Sequence, residues 1–119
     1  ISLTNKELEA NDFQKGDTEG LVNYGLSLKG AKLAVIFIEH KQEGIIKISF
    51  RSKGDFDVNS FARTHFNGGG HKNASGGRSN LNLKRPLQNL SVYCLNTNQN
   101  LIHEIFPVFF NNLFVNCQL

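Results

Sequence analysis

The chain has no methionine and no tryptophan, and only two prolines and two cysteines among its 119 residues. Each shortage excludes something. Cys94 and Cys117 stand 23 positions apart without a close-spaced partner. That spacing rules out a disulfide framework and a four-cysteine zinc site, and it points to a reducing compartment. No apolar run reaches the ~18 residues that a membrane span needs. No basic-then-apolar opening of the secretory type stands at the start. A chain without methionine that opens on Ile1 reads as a piece of a longer protein, so its function is expected to be shared with another part of that protein. Hydrophobic residues make up 39% of the chain and ten residues are Phe, enough for the core of one ordinary domain.

Charge is unevenly placed. Residues 1–20 carry Lys6 and Lys15 against Glu7, Glu9, Asp12, Asp17 and Glu19, a net −3. Residues 51–85 carry Arg51, Lys53, Arg63, Lys72, Arg78, Lys84 and Arg85 against Asp55 and Asp57, a net +5. A focused basic segment suits a phosphate-bearing ligand. The alternative is a solvated basic surface.

Hydrophobic periodicity then orders the chain. Residues 1–16 are polar without a clear period and read as an interdomain linker bounded by Gly16, leaving 17–119 as the domain. Asp17 or Thr18 can cap a helix over 18–28, with Gly30 ending it. Residues 32–39 form a branched apolar run that reads as a buried strand. Residues 45–52 alternate, with Ile46, Ile48 and Phe50 facing one way and Lys47, Ser49 and Arg51 the other, so the two strands make an antiparallel hairpin. Asp57 caps a helix whose one face carries Val58, Phe61, Ala62, His65 and Phe66. Residues 74–79 resume as a strand, LSVYCL at 90–95 is strand-like, and 102–115 is a buried helix or strand interrupted by Pro107. The expected class is α/β: one small domain with a mixed sheet packed by helices and a glycine-rich GGGH loop after a helix.

That loop, Gly68, Gly69, Gly70 and His71, is the most informative stretch. Consecutive glycines allow close approach of a ligand to bare backbone N–H groups, which form an anion-binding concavity. His71 adds a donor, and Ala74, Ser75, Gly76 and Gly77 are small, as a pocket wall must be. A flexible loop tip beside a chance histidine is the competing reading. No Gly-Lys-Ser/Thr follows, which excludes a Walker loop, and the run follows a helix rather than a strand, which excludes a dinucleotide fingerprint. His65 reads as a partly buried core residue. Asp55 and Asp57 read as turn and cap residues. No histidine is supported by the cysteines or carboxylates that a metal site needs. No bound metal is therefore expected in this chain, and no Ser-His-Asp grouping or pair of catalytic carboxylates stands near the loop.

GGGHKNASGG at 68–77 resembles the GGGHxxAxG signature of the DHH-associated domain, the C-terminal substrate-binding domain of DHH-family phosphoesterases. DTEGLVNYGLSLKG at 17–30 and IKISFRSKGDFDVNSFA at 46–62 are similar to the same domain in bifunctional oligoribonucleases that also hydrolyse 3′-phosphoadenosine 5′-phosphate (PAP). The tail from Lys84 departs from the pattern. The resemblance implies a nucleotide or short single-stranded RNA or DNA as ligand, a preceding DHH domain holding two manganese ions, and a cytoplasmic, bacterial setting. It allows a homodimer of the whole protein. It carries phosphate contacts to Gly68, Gly69, Gly70 and His71, and substrate contacts to Arg51 and Ser52. Asn73 and Ala74 would shape the pocket, and Thr18, Glu19 and Gly20 would lie near the interdomain junction. Other members of the family, RecJ-type exonucleases and cyclic-dinucleotide phosphodiesterases, stay open. So does the tRNA-binding C-terminal domain of alanyl-tRNA synthetase, and a free-standing nucleic-acid-binding module with no enzyme attached.

Overall fold

The computed structural model describes residues 1–80, so the readings at 84–119, including the strand at 90–95 and the apolar segment at 102–115, lie outside the described residues. The elements run β1 (Ser2–Leu3), α1 (Asn5–Ala10), α2 (Leu21–Ser27), β2 (Leu33–His40), β3 (Ile45–Ser52), α3 (Val58–His65), β4 (Gly69–His71) and β5 (Ala74–Ser79). They build a five-stranded mixed sheet in the order β1-β2-β3-β5-β4. The β1–β2 pair is parallel and the other pairs are antiparallel.

β2 is buried on both faces, as its unbroken apolar run requires. On one face Leu33, Val35 and Phe37 join Ile46, Ile48 and Phe50 of β3 and meet Val58, Phe61, Ala62 and Phe66 from α3 and its end. The phenyl rings interlock there, with Phe50 meeting Phe61 edge-on at 5.8 Å and Phe66 at 5.2 Å. On the other face Ala34, Ile36 and Ile38 meet Val22, with Leu21 and Leu26 of α2 and Leu3 and Leu8 packed around them. α2 rides close to the sheet because Gly25 sits on Ala34. A Cβ at Gly25 would lie 2.7 Å from that methyl group.

The β2–β3 hairpin and α3 form where periodicity places them. Asp57 Oδ1 accepts the N–H groups of Asn59 at 2.9 Å and Ser60 at 3.0 Å, and Oδ2 accepts the Ser60 hydroxyl. These bonds, the Ser60 amide first, hold the Asp57 carboxyl below its ordinary pKa. His65 is half-buried, its ring centroid 5.1 Å from that of Phe61.

Three expectations change. The stretch 1–16 is not a bare linker: β1 pairs with Phe37 and Ile38, and α1 opens on a capping box in which Thr4 and Glu7 bond reciprocally. The helix expected over 18–28 is shorter. It starts at Leu21 after Gly20, whose φ of 86° suits glycine, and it has no side-chain cap because Asp17 instead accepts the Gln14 N–H. The three glycines do not form an open turn. Gly69 and Gly70 continue with His71 into β4, and Lys72-Asn73 make the two-residue turn into β5. Among the described residues no helix is long and apolar enough to cross a membrane.

Candidate functional site

The strand register assembles the site. Arg51 on β3 pairs with Ala74 on β5, and Ala74 pairs in turn with His71 on β4. Arg51 and His71 therefore stand in one row across three strands, about 10 Å apart at the usual strand spacing, with only a methyl group between them. The next row holds Ser49, Gly76 and Gly69. Ser49 and Gly76 put little or no side chain beside Arg51 and leave a shallow floor there, whereas a Cβ at Gly69 would face Arg63 and Asn59 of α3 at 3.3 Å.

Among the described residues nothing packs over this half of the sheet face. α2 covers β2 and reaches β3 on that side, while α3 packs against β3, β4 and β5 on the other. Ser49, Arg51, Ala74 and Gly76 are partly exposed and Arg78 is exposed. Arg51 Nη1 donates to its own Phe50 carbonyl at 2.9 Å, which steadies the guanidinium at the edge of the floor. Arginine stays charged at all working pH values and presents a fork that matches phosphate oxygens. His71 is exposed at the tip of the edge strand.

The structure does not bring every expected residue to this floor. Ser52 lies on the α3 face, 6% exposed, where its hydroxyl donates to the Phe56 carbonyl at 2.7 Å and accepts from Asn73 Nδ2 at 2.9 Å. Asn73 Nδ2 also donates to the Gly54 carbonyl at 3.0 Å, and its own carbonyl accepts the Ser52 N–H. Ser52 and Asn73 thus tie the β4–β5 turn to the end of β3. Lys72 forms an exposed ion pair with Asp55 at 3.2 Å. Thr18, Glu19 and Gly20 form the turn before α2, with Glu19 and Gly20 exposed.

The glycines also have a role other than the expected one. The Gly68 N–H donates to the Ala62 carbonyl and the Gly70 N–H to Asn59 Oδ1, so both amides are used within the domain, and Gly69 pairs with Gly76 in the ladder. A Cβ at Gly68 would lie 1.9 Å from the Gly76 carbonyl oxygen, and one at Gly70 would lie 2.6 Å from that of Ala74. The run lets the chain leaving α3 press against β5. Sequence reasoning named Gly76 as a small pocket-wall residue but missed Ser49, although the alternation of Lys47, Ser49 and Arg51 contained it.

A recess of about 450 Å³ opens at the far end of the sheet, between α1 and the β2–β3 turn. Its lining includes Glu9, Asp12, Glu39 and Glu43 against Lys41 and His40. That balance repels phosphate, whereas the floor beside Arg51 attracts it. Among the described residues no group of three His, Cys, Asp or Glu side chains converges as a metal site would require.

The model of the DHHA1 domain family matches residues 3–92. No curated protein matches the chain. Among solved structures the chain is similar to an exopolyphosphatase-related protein from Bacteroides fragilis, with 41% identity and a TM-score of 0.74 over 77% of this chain and 26% of that one. It also aligns with an uncharacterised protein from Helicobacter pylori G27 at 22% identity and a TM-score of 0.48, over 82% of this chain and 26% of that one, a likeness too distant to argue from. The chain spans about a quarter of the length of these relatives. The match runs from β1 through the Arg51 strand and the glycine hairpin, and on this ground the chain belongs to the family of DHHA1 domains.

Proposed function

We propose that this domain holds the phosphate-bearing end of a nucleotide or short single-stranded nucleic acid for a DHH phosphoesterase domain of the same protein. The observation that carries the reading is the row Arg51–Ala74–His71 across the sheet. Arg51 binds phosphate through its guanidinium N–H groups, as charge-assisted bonds. His71 adds a second donor from the opposite side. Ala74 and Gly76 let the phosphate sit near the strands. The glycine run acts by building β4 tightly against β5, and Ser52 and Asn73 act by fixing the turn. Hydrolysis belongs to the companion domain with its two manganese ions. In this reading the part of the present chain is to bind and orient the phosphate-bearing end. The finer reading is an oligoribonuclease that also acts on PAP, in a bacterial cytoplasm.

The 41%-identical neighbour supports the phosphoesterase branch of the readings over the tRNA synthetase branch, and its name makes polyphosphate the natural comparison ligand. The test is a titration of the chain with 5′-AMP, PAP, a three-nucleotide RNA and a short polyphosphate. The reading expects the nucleotides to bind more tightly than polyphosphate of equal charge. Equal binding of all four, lost together with added salt, would reduce the site to general basic charge.

A further inference from the structure

Asn59 lies in the first turn of α3, outside the floor, yet its side-chain oxygen is a meeting point. Oδ1 accepts the Gly70 N–H at 2.9 Å and the Arg63 Nε–H at 3.0 Å. Two N–H donors converge on one atom, which identifies it as the oxygen and prevents the amide from turning over. The Asn59 main chain is itself fixed, because its N–H donates to the Asp57 cap. The result is a brace running from the N-terminus of α3 across to the edge strand, with Arg63 holding its far end.

The brace meets β4 at the place where that strand is weakest. β4 has three residues, pairs on one side only among the described residues, and contains two glycines. Short glycine-rich edge segments open locally at small cost. Gly70 immediately precedes His71, so whatever fixes the Gly70 amide also fixes the start of the His71 side chain. We infer that Asn59 is a positioning residue, clamped by Arg63, which holds β4 so that His71 stays in the row with Arg51. The inference rests on the reading of that row as the phosphate site. It assigns a role to two polar residues of α3 that never touch the ligand.

The test is PAP affinity, measured by calorimetry, for the wild-type chain, His71→Ala, Asn59→Ala and the double variant. Alanine is a good helix former and an ordinary substitute at this partly exposed helix position. Asn59→Ala is expected to lower affinity about fivefold to tenfold, the scale of one ordinary hydrogen bond. In the His71→Ala background the same change is expected to cost less than about twofold, because its effect runs through His71. Asn59→Asp keeps the acceptor and pairs its charge with Arg63, and is expected to bind within about threefold of wild type. Should Asn59→Ala fail to fold, Arg63→Ala removes only the clamp at an exposed site and should show the same dependence on His71. A folded Asn59→Ala with wild-type affinity, or losses that add fully in the double variant, overturns the positioning role. If His71→Ala itself leaves PAP binding unchanged, or the wild-type chain binds no PAP, the underlying reading of the site fails, and the inference fails with it.

Discussion

Replacing Gly68 by alanine adds a methyl group where main chain already stands. The new Cβ would lie 1.9 Å from the Gly76 carbonyl oxygen, 2.6 Å from Gly77 Cα and 2.8 Å from the Gly76 carbonyl carbon. These atoms belong to β5, which is paired to β3 on one side and β4 on the other, so they cannot turn aside as a side chain would. Ordinary contact between such atoms is about 3.5 Å, so the two segments must separate by roughly 1.5 Å. Overpacking of this kind costs about 1–3 kcal/mol. Losing the Gly68 N–H bond to Ala62 adds about 1 kcal/mol. The expected destabilisation is about 3 kcal/mol, which in a domain of this size lowers the melting temperature by roughly 12–24 °C. Far-UV circular dichroism on heating reads this directly. Gly76→Ala is the matched control. A Cβ there would meet only the Ile48 carbonyl oxygen, at an ordinary 3.6 Å, and should change the melting temperature by only about 4 °C. If Gly68→Ala melts within about 4 °C of wild type, the close approach of β4 to β5 does not explain the glycine.

Gly76→Ala should keep the fold yet weaken PAP binding, because its methyl group would stand on the floor beside Ser49; calorimetry showing unchanged affinity would place the phosphate elsewhere. Phe50→Ala removes a fully buried ring that contacts Phe61 and Phe66, and should cost about 3–5 kcal/mol in urea unfolding. Asp57 has a lowered folded pKa, so its stabilisation is complete above the ordinary value of 3.8 and is lost as pH falls toward and through the lower folded value. Asp57→Asn should therefore show a flatter loss of stability in that acid window, measured as melting temperature against pH.

The central hairpin and α3 were legible because three independent signals agree there. The branched run over β2, the strict alternation of β3 and the Asp57 cap all favour the observed structure, and nothing competes with them. The same alternation, followed two residues further, places Ser52 on the core face with Ile46, Ile48 and Phe50. The family resemblance assigns Ser52 a substrate contact, while its place on the core face follows the backbone pattern. The N-terminal stretch was missed for a different reason. Thr4-Asn5-Lys6-Glu7 carries the capping-box spacing in plain view, but α1 buries no residue completely and β1 has only two residues, so no hydrophobic period marks them. The strand course of Gly69 and Gly70 is not legible because glycine signals only permission. The run fits an open turn as well as a tightly packed strand, and only the distances to Gly76 and Gly77 separate the two. Arg51 and His71 stand out in the sequence by alternation and by the glycine run, and the resemblance assigns them ligand contacts, but their placement in one row follows from a pairing register that no local pattern encodes.

The most direct test of the account is where a phosphate-bearing nucleotide lands. Titrating an isotopically labelled chain with PAP and following backbone and arginine side-chain NMR signals locates it residue by residue. The account predicts that the largest shifts fall on Arg51 Nε, His71, Ala74 and Gly76, and that Arg51→Ala abolishes them while the remaining spectrum stays folded. Shifts centred instead on Asn5, Glu39 and His40, around the recess at the far end of the sheet, would contradict it.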